Sequence, residues 1–306
     1  MPTPHPEFVY LDGQIVPWDD AKLHVFSPAV KYGAGVFEGI RGYWNEDENQ
    51  MYVFRIAEHL ARLRYSQIMM RFDRVFEPQD VEPPMLDLIR RNGHRATIHI
   101  RPTVFVDGYL ESAATGPIGM YITTFERPAS TYLETGCSVQ VSSWQRLSDR
   151  AMPVRVKANA NYNNSRYAGI QARQDGYDTA IMLNDRGQVS EGPGMCLFIV
   201  RGGRPLTPSV TADILESITR DAVIEILEAD FGLATTEREI GRSELHAAEE
   251  AFFCGTAWEV TPITSIDGLA VGDGQVGPIT KRLQERYFDI VHGRVADDRG
   301  WLTPVY

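Results

Sequence analysis

The sequence predicts an α+β fold in two domains, and three observations lead to that expectation. The chain has 306 residues, which is about twice the common length of a single domain. Its hydrophobic content of 43% and charged content of 23% are ordinary for a globular chain that buries a large core without disulfides. Strand and helix patterns occur in both halves, without a regular βαβ alternation or a G-x-G-x-x-G motif after a strand.

The first half begins with short strand patterns. Asp12-Gly13 stands between the apolar runs 8–11 and 14–16 and is typical of a tight β-hairpin. Pro78, Pro83 and Pro84 surround the predicted start of a helix at 85–92. The other predicted elements of this half are strands at 35–43, 51–54, 97–106 and 119–124 and a helix at 56–70.

A polar stretch that contains a proline, 127–133, predicts a linker between an N-terminal domain, 1–126, and a C-terminal domain, 134–306. In the second domain, Gly232 directly follows a helical pattern, as a residue at a helix C-terminus commonly does. Asp267-Gly268 predicts another hairpin. The predicted elements here are strands at 137–144, 179–183, 196–200, 250–254 and 255–266 and helices at 163–175, 217–231 and 278–292.

Charge and cysteine usage exclude several classes of protein. The net charge of −11 argues against the basic surface that nucleic acid requires. The three cysteines are far apart and include no C-x-x-C pair, which argues against a disulfide framework or a zinc site, and we expect no metal. No apolar run has the length of a membrane span, and residues 1–10 lack the apolar segment of a signal peptide. We therefore expect a cytoplasmic protein without a membrane partner.

Lysine is scarce in this chain, which narrows the search for a reactive amine. Lysine and arginine total 30, of which only Lys22, Lys31, Lys157 and Lys281 are lysines. Lys157 stands at the end of a predicted strand, where an alternation of apolar residues leads into a helix. Arg155, two residues earlier, would face the same side of that strand. A lysine in such a place can act as a nucleophile that forms a Schiff base with a carbonyl. A solvated surface lysine is the alternative.

A second candidate group is the carboxylate of Glu191. Two glycines and a proline follow it in the segment 190–194, and they predict an irregular tight turn. A carboxylate held there could face a ligand nitrogen, such as the pyridine nitrogen of pyridoxal phosphate, whose protonated form is the better electron sink. An exposed loop glutamate is the alternative.

Three features could bind a phosphate. The helix that begins near Ser217 offers backbone N–H groups to an anion, although Ser217 also fits an ordinary N-cap. The small residues Gly255, Thr256 and Ala257 follow a predicted strand and would let backbone N–H groups approach a ligand. Arg62 could supply a cation, or could simply lie on a helix surface.

Several segments, taken together and in their order along the chain, resemble the motifs of a known enzyme family over nearly the whole chain. The segments are YGAGVFEGIRGY (32–43), EHLARL (58–63), IRP (100–102), VSSW (141–144), VKANANY (156–162), SEGPG (190–194), SITRDA (217–222), CGTAWEVTPI (254–263) and VGDGQVGPITKRL (271–283). In them the sequence resembles the fold-type IV pyridoxal-phosphate enzymes, and among these the branched-chain amino acid aminotransferases. The intact VFEGIR string favours that group over aminodeoxychorismate lyases and (R)-selective amine transaminases.

The resemblance implies a two-domain architecture with pyridoxal 5′-phosphate (PLP) in the cleft between the domains, the C-terminal domain binding the cofactor. It implies that Lys157 is the catalytic residue, bound to PLP as a Schiff base, and that Glu191 pairs with the pyridine nitrogen. The implied cofactor-binding residues are Arg62, Lys157, Tyr162, Glu191, Leu215, Ser217, Ile218, Thr219, Gly255 and Thr256. The implied substrate-binding residues are Tyr32, Phe37, Arg41, His99, Arg101, Tyr132, Thr256 and Ala257.

The implied reaction is a ping-pong transfer of an amino group from a branched-chain L-amino acid to a 2-oxo acid, with 2-oxoglutarate and glutamate as one pair. The small-molecule amino donor and the 2-oxo acid are then the partners. A homodimer or higher homo-oligomer is also implied, in which the loop 106–116 would reach a neighbouring subunit's pocket.

Several departures from the family pattern leave the substrate open. His99 stands where the family commonly has a tyrosine, Asn159 and Ala160 replace two glycines, and Trp258 replaces a small residue. Such changes leave room for an (R)-selective amine transaminase or an enzyme of mixed specificity. A non-catalytic protein on the same scaffold would have lost Lys157, and a hydrolase would show G-x-S-x-G rather than SEGPG.

Overall fold

The computed structural model describes residues 5–306, and the chain divides into two compact units. The first unit comprises the chain up to Pro128 together with Val156–Ala160 and Asp289–Tyr306, and the second comprises Ala129–Arg155 and Asn161–Phe288. The first boundary lies inside the stretch 127–133. The predicted C-terminal domain, 134–306, differs from the second unit, because the two short segments 156–160 and 289–306 belong to the first.

The strands are β1 Phe8–Leu11, β2 Gln14–Pro17, β3 Gly35–Phe37, β4 Ile40–Asn45, β5 Gln50–Phe54, β6 Ile98–Val106, β7 Ile118–Glu126, β8 Cys137–Val141, β9 Thr179–Ile181, β10 Cys196–Arg201, β11 Arg204–Pro208, β12 Thr236–Arg238, β13 Glu250–Gly255, β14 Glu259–Ile266, β15 Leu269–Ala270 and β16 Leu302–Pro304. The helices are α1 Pro28–Tyr32, α2 Ile56–Met69, α3 Pro78–Asn92, α4 Asn161–Gln174, α5 Ile218–Phe231 and α6 Pro278–Val291, with short 3-10 helices at Trp18–Asp20 and Arg242–Ala247. The mixture of helices and sheets confirms the predicted α+β class.

The first unit is built on an antiparallel sheet of eight strands in the order β16-β5-β4-β6-β7-β1-β2, with β3 paired to β6. The hairpin predicted at Asp12-Gly13 is confirmed, since Leu11 pairs with Gln14 and both turn residues have positive φ. β16 joins this sheet through β5, which explains why the C-terminal segment belongs to this unit. Val53, Leu60, Met85 and Ile100 are fully buried in its core.

Two local predictions in this unit were wrong in detail. The predicted strand at 35–43 is interrupted, because β3 ends at Phe37 and β4 begins at Ile40. The predicted helix at 85–92 begins earlier, at Pro78. There Glu77 and Asp80 form a capping box, and the helix continues through Pro83 and Pro84.

The second unit is built on a mixed sheet in the order β12-β11-β10-β13-β14-β8-β9, with β15 paired to β14. β11–β12, β14–β8 and β8–β9 are its parallel pairs. The predicted helix end at Gly232 is confirmed, because Gly232 has φ 67° and its N–H donates to Glu228 O and Leu227 O. Ile181, Leu197, Phe253 and Ile263 lie in the core of this unit.

Within residues 5–306, no helix has both the length and the apolar content needed to cross a membrane. The same residues contain no group of three or more His, Cys, Asp or Glu side chains that could hold a metal ion. Cys137, Cys196 and Cys254 are buried thiols.

Candidate active site

Lys157 lies in an irregular segment of the first unit that is tied to strand β3. Ala158 forms an isolated β-bridge with Val36, and the N–H of Phe37 donates to Lys157 O at 3.0 Å. The N–H of Lys157 donates to Ser66 Oγ on helix α2 at 3.3 Å. The predicted strand before Lys157 was therefore wrong, because these long-range bonds, rather than a strand of its own, hold the segment.

Arg155 does not share a strand with Lys157. It belongs to the second unit, where its Nε donates to Glu216 Oε1 at 2.6 Å and its Nη1 lies 3.7 Å from Asp149 Oδ2. Arg155 is thus part of a half-exposed ion-pair cluster, and nothing in that geometry assigns it to the lysine.

Arg62 is fixed by a buried carboxylate in the same unit as Lys157. Its Nε and Nη2 donate to Glu38 Oε1 and Oε2 at 2.7 and 2.8 Å. His59 Nδ1 lies 2.7 Å from Glu38 Oε2. Glu38 is 0% exposed and His59 is 1% exposed, so the predicted alternative of a helix-surface arginine does not describe Arg62.

The protonation states of this network follow from its contacts. Burial raises the pKa of Glu38, but the Arg62 charge and the hydrogen bonds from Arg62 and His59 lower it by more, so the net pKa lies well below its usual value. Burial lowers the pKa of His59 despite the hydrogen bond to Glu38. An ionised carboxylate only accepts hydrogen bonds, so Nδ1 of a neutral His59 must carry the proton.

Phe37 and Arg101 form one composite surface. The Arg101 guanidinium carbon lies 3.6 Å from the centroid of the Phe37 ring, and Lys157 Nζ lies 5.0 Å from the same centroid. Arg101 Nη2 also donates to Asn159 Oδ1 at 3.3 Å. A planar aromatic face and a planar cation therefore lie together next to the lysine amine.

His99 and Arg41 are buried neighbours on paired strands β6 and β4. Burial and the charges of Arg127, Arg41, Arg101 and Lys157 lower the pKa of His99 to about 3. Nδ1 of His99 has no hydrogen-bond partner among residues 5–306. A Cβ added at Gly39 would lie 3.0 Å from His99 Cε1, so the glycine makes room for the imidazole ring.

Tyr32 stands apart from these buried side chains. It is 43% exposed, and its hydroxyl donates to Glu111 Oε2 at 3.0 Å. Within its own unit, Tyr32 is therefore joined to the loop that follows β6 rather than to Phe37 or Arg101.

In the second unit, Glu191 is a buried carboxylate in the turn that leads to β10. It is 5% exposed, which excludes the alternative of an exposed loop glutamate. Leu215 N–H donates to Glu191 Oε2 at 3.2 Å, and Cys196 Sγ lies 3.9 Å from the same oxygen. A further neighbour is Arg146, whose Nε lies 2.8 Å from Glu191 Oε1.

The contact between Arg146 and Glu191 is ionic rather than an aligned hydrogen bond, because Arg146 Nε has no partner in hydrogen-bond geometry among the described residues. Sequence reasoning missed Arg146, which is one arginine in a polar stretch. No local pattern separates it from the other arginines of the chain.

The N-terminus of helix α5 has the predicted form. Ser217 is the N-cap, and its Oγ accepts from Arg220 N at 3.2 Å, so the interpretation of Ser217 as an ordinary N-cap is correct. Ile218 and Thr219 begin the helix and are 8% and 2% exposed. The first N–H groups of a helix lack intrahelical acceptors and attract anions.

Small residues form a tight turn after β13. Gly255 ends the strand, Thr256 and Ala257 turn, and Trp258 N–H donates back to Gly255 O at 3.0 Å. A Cβ at Gly255 would lie 3.4 Å from Gly194 O, so this turn packs closely against the SEGPG segment.

Two tyrosines of the second unit complete the set of predicted residues. Tyr162 is half-buried at the start of α4, and its ring lies near Gly194, where an added Cβ would be 3.9 Å from Tyr162 Cε1. Tyr132 stacks on Trp258 with ring centroids 6.1 Å apart. Trp258, which departs from the family pattern, therefore contacts a predicted substrate residue.

The predicted residues thus occur in two groups, each within one unit. Lys157, Arg62, Tyr32, Phe37, Arg41, His99 and Arg101 belong to the first, and Tyr162, Glu191, Leu215, Ser217, Ile218, Thr219, Gly255, Thr256, Ala257 and Tyr132 belong to the second. Their chemistry fits PLP: a half-buried amine, a buried carboxylate, an oriented guanidinium and a capped helix N-terminus are the groups that its aldehyde, pyridine nitrogen and phosphate require.

Comparison with known proteins identifies a matching family and similar relatives. The family Amino-transferase class IV matches residues 35–266. A probable branched-chain-amino-acid aminotransferase of Aquifex aeolicus is 40% identical over 306 residues, covering 98% of this chain and 97% of the relative.

Solved structures are equally similar. The branched-chain amino acid aminotransferase from Thermobaculum terrenum in its PLP form has a TM-score of 0.92 and 40% identity, with 99% of each chain covered. The branched-chain aminotransferase from the archaeon Thermoproteus uzoniensis with norvaline has a TM-score of 0.92 and 41% identity, with 98% of this chain and 100% of that chain covered. The chain therefore belongs to the class IV aminotransferases, fold-type IV enzymes that depend on pyridoxal 5′-phosphate.

Proposed function

We propose that this enzyme transfers the amino group between a branched-chain L-amino acid and a 2-oxo acid by a ping-pong mechanism, with 2-oxoglutarate and glutamate as one pair. The observation that carries the proposal is the stacking of Arg101 on Phe37 at 3.6 Å. One site must take a branched apolar side chain in one half-reaction and a γ-carboxylate in the other. An aromatic face and a guanidinium at the same place provide both kinds of contact.

Each residue is given the role that the family resemblance implies and that its chemistry allows. Bound PLP supplies an electron sink for the pair of electrons released when the Cα proton leaves. Lys157 would hold the cofactor covalently in the resting enzyme. Its Nζ, released when the substrate amine takes its place, would carry the proton from the substrate Cα to C4′ of the cofactor. Glu191 accepts a hydrogen bond from the protonated pyridine nitrogen, and Tyr162 donates one to the phenolate oxygen.

The phosphate is assigned to cationic and backbone donors. Arg62 supplies the charge, and the N–H groups of Ile218, Thr219 and Thr256 supply hydrogen bonds. Arg41, His99, Tyr132 and Ala257 are assigned to the substrate.

The cofactor assignment can be tested on one peptide. Borohydride reduction of the yellow holoenzyme should fix the pyridoxyl group on the peptide that contains Lys157. Lys22, Lys31 and Lys281 are exposed and serve as internal controls. A label on any of these three instead of Lys157 would refute the assignment.

The substrate can be tested by single half-reactions, in which the donor bleaches the cofactor absorption. We expect fast bleaching by L-leucine, L-valine and L-glutamate and little by D-alanine or (R)-1-phenylethylamine. Fast bleaching by the amine and none by L-leucine would replace the proposal with an (R)-selective amine transaminase. The departures at His99 and Trp258 make this the alternative to measure.

We also propose a homodimer as the smallest active form. In the first unit, Lys31 Nζ donates to Leu110 O at 3.1 Å, and His24 packs edge-on against Tyr109. These segments expose Val25, Phe26 and Tyr109 by 68%, 58% and 71%. Such a cluster of exposed apolar side chains supports an interface. Light scattering should give twice the chain mass for the wild type, and Phe26→Asp should shift it toward the monomer; a fully active monomeric wild type would refute the dimer.

A further inference from the structure

Glu38 and His59 are buried polar residues for which the proposed reaction has no role. Neither is among the residues assigned to cofactor or substrate, and both are almost completely enclosed. An ionised carboxylate is costly to bury unless cations and hydrogen bonds compensate for lost hydration. Here the compensation comes from Arg62 and His59 at 2.7–2.8 Å.

The pairing fixes the plane of the Arg62 guanidinium. Nε and Nη2 bind the two carboxylate oxygens side by side, the geometry that gives arginine–carboxylate pairs their directional preference. This uses one edge of the guanidinium, so Nη1 points away from Glu38. His59 contacts the same Oε2 as Nη2, and thereby limits rotation of the carboxylate.

The same short stretch of chain also holds Lys157. The N–H of Phe37 donates to Lys157 O, and the N–H of the next residue, Glu38, donates to Pro102 O at 2.9 Å. Of these two consecutive residues, Phe37 therefore contacts the lysine segment through its backbone, and Glu38 contacts Arg62 through its side chain. Because the aldehyde and phosphate of PLP are a fixed distance apart, a rigid link between their two partners favours binding.

We propose that Glu38, supported by His59, is a positioning residue that holds the Arg62 guanidinium in register with Lys157 for the phosphate of PLP. The proposal rests on the proposed function, in which Arg62 is the phosphate cation.

The decisive measurement compares PLP with 5′-deoxypyridoxal, which carries the same aldehyde but no phosphate. Glu38→Gln should weaken PLP binding to the apoenzyme by about tenfold or more and leave the affinity for 5′-deoxypyridoxal unchanged. A general structural defect would weaken both. The matched control is Glu58→Gln on the same helix as Arg62, which removes a carboxylate paired with Arg55 at 2.6 Å and should change neither affinity.

A second pair of variants covers the case in which Glu38→Gln fails to fold. His59→Asn keeps an N–H donor near the position of Nδ1 and should retain PLP affinity, whereas His59→Ala should lose part of it. Equal PLP affinity in both His59 variants and the wild type would remove His59 from the proposal.

A double-mutant cycle shows whether Glu38 acts through Arg62. In an Arg62→Gln background, Glu38→Gln should cause no further loss of PLP affinity. An additive loss, or wild-type PLP affinity in Glu38→Gln alone, would overturn the positioning role. Unchanged PLP affinity in Arg62→Gln alone would instead show that the phosphate assignment, and not only Glu38, is wrong.

Discussion

Glu38 and Glu191 are both buried carboxylates beside an arginine, but their surroundings differ in kind. Glu38 accepts two aligned hydrogen bonds from Arg62 and lies 2.7 Å from an imidazole nitrogen. Glu191 lies 2.8 Å from Arg146 outside hydrogen-bond geometry and accepts a backbone N–H at 3.2 Å.

The difference separates two uses of a buried acid. A carboxylate bound side-on by a guanidinium fixes that guanidinium, so its effect reaches a ligand only through the arginine. A carboxylate with a misaligned cation and a backbone donor keeps its charge compensated while remaining a good acceptor for a ligand proton. Glu38 is therefore expected to govern the affinity for PLP, and Glu191 is expected to govern the turnover rate.

The largest expected effect is on turnover. Glu191→Gln should retain PLP but lower kcat by about a hundredfold, because a neutral amide stabilises the pyridine proton poorly. Glu38→Gln at saturating PLP should lower kcat much less. Steady-state assays with L-leucine and 2-oxoglutarate measure both, with Glu237→Gln as a control, since Glu237 pairs with Arg220 in the same unit as Glu191. Equal loss of kcat in the Glu38 and Glu191 variants would remove the distinction.

The next effect concerns stability. Urea unfolding of apoenzyme double-mutant cycles should give a coupling of about 3 kcal/mol for Glu38–Arg62 and about 1 kcal/mol for Glu191–Arg146. The aligned bidentate geometry of the first pair is the reason. A larger coupling for Glu191–Arg146 would contradict this order.

A third prediction concerns the acid sensitivity of the first unit. The pKa of His99 is lowered from 6.5 to about 3, so below pH 6.5 the unfolded chain binds a proton that the folded chain does not. The stability that neutral His99 contributes is therefore complete above pH 6.5. As the pH falls below that value, the free energy of unfolding decreases by about 1.4 kcal/mol per pH unit. His99→Gln should flatten this dependence of the unfolding free energy on pH between pH 6.5 and 4.5.

Unfolding measured by urea at several pH values checks this slope. The exposed His246 provides the control, because His246→Gln should leave the dependence as in the wild type. An unchanged slope in His99→Gln would mean that other groups carry the acid sensitivity.

The smallest expected effect is on substrate selection. Asn159→Gly removes the acceptor of Arg101 Nη2 and restores the residue that the family commonly has. We expect the KM for 2-oxoglutarate to rise about threefold while the KM for L-leucine stays nearly constant, since leucine has no side-chain carboxylate. Equal changes for both substrates, or an equal change in the exposed control Asn163→Ala, would contradict this role of Asn159.

Local signals were sufficient for several elements. The Asp12-Gly13 turn, the Ser217 N-cap and the Gly232 helix end were predicted correctly because the conformations depend on a few adjacent residues. The break between β3 and β4 could not be predicted, because the inward position of Glu38 depends on a partner 24 residues away, Arg62.

The candidate site was predicted through the resemblance more than through spacing. The family motifs selected Lys157, Glu191 and Arg62, although their individual patterns allowed surface alternatives. Arg146 and Glu38 were missed as partners, since their contacts join residues distant in sequence. The irregular segment of Lys157 was taken for a strand because alternating apolar residues also occur where single residues dock into a core, as Val156 and Ala158 do.

Phe37 and Glu38 are adjacent, yet one lies against Arg101 and the other against Arg62. Successive side chains of an extended backbone face opposite sides. Position 37 can therefore answer to the substrate while position 38 answers to the cofactor. Mutation can reshape the apolar face at position 37 and so change the substrate range. The neighbouring position stays fixed by its buried partners. For protein engineering, a library that varies residue 37 and keeps residue 38 should explore new donors without losing the cofactor.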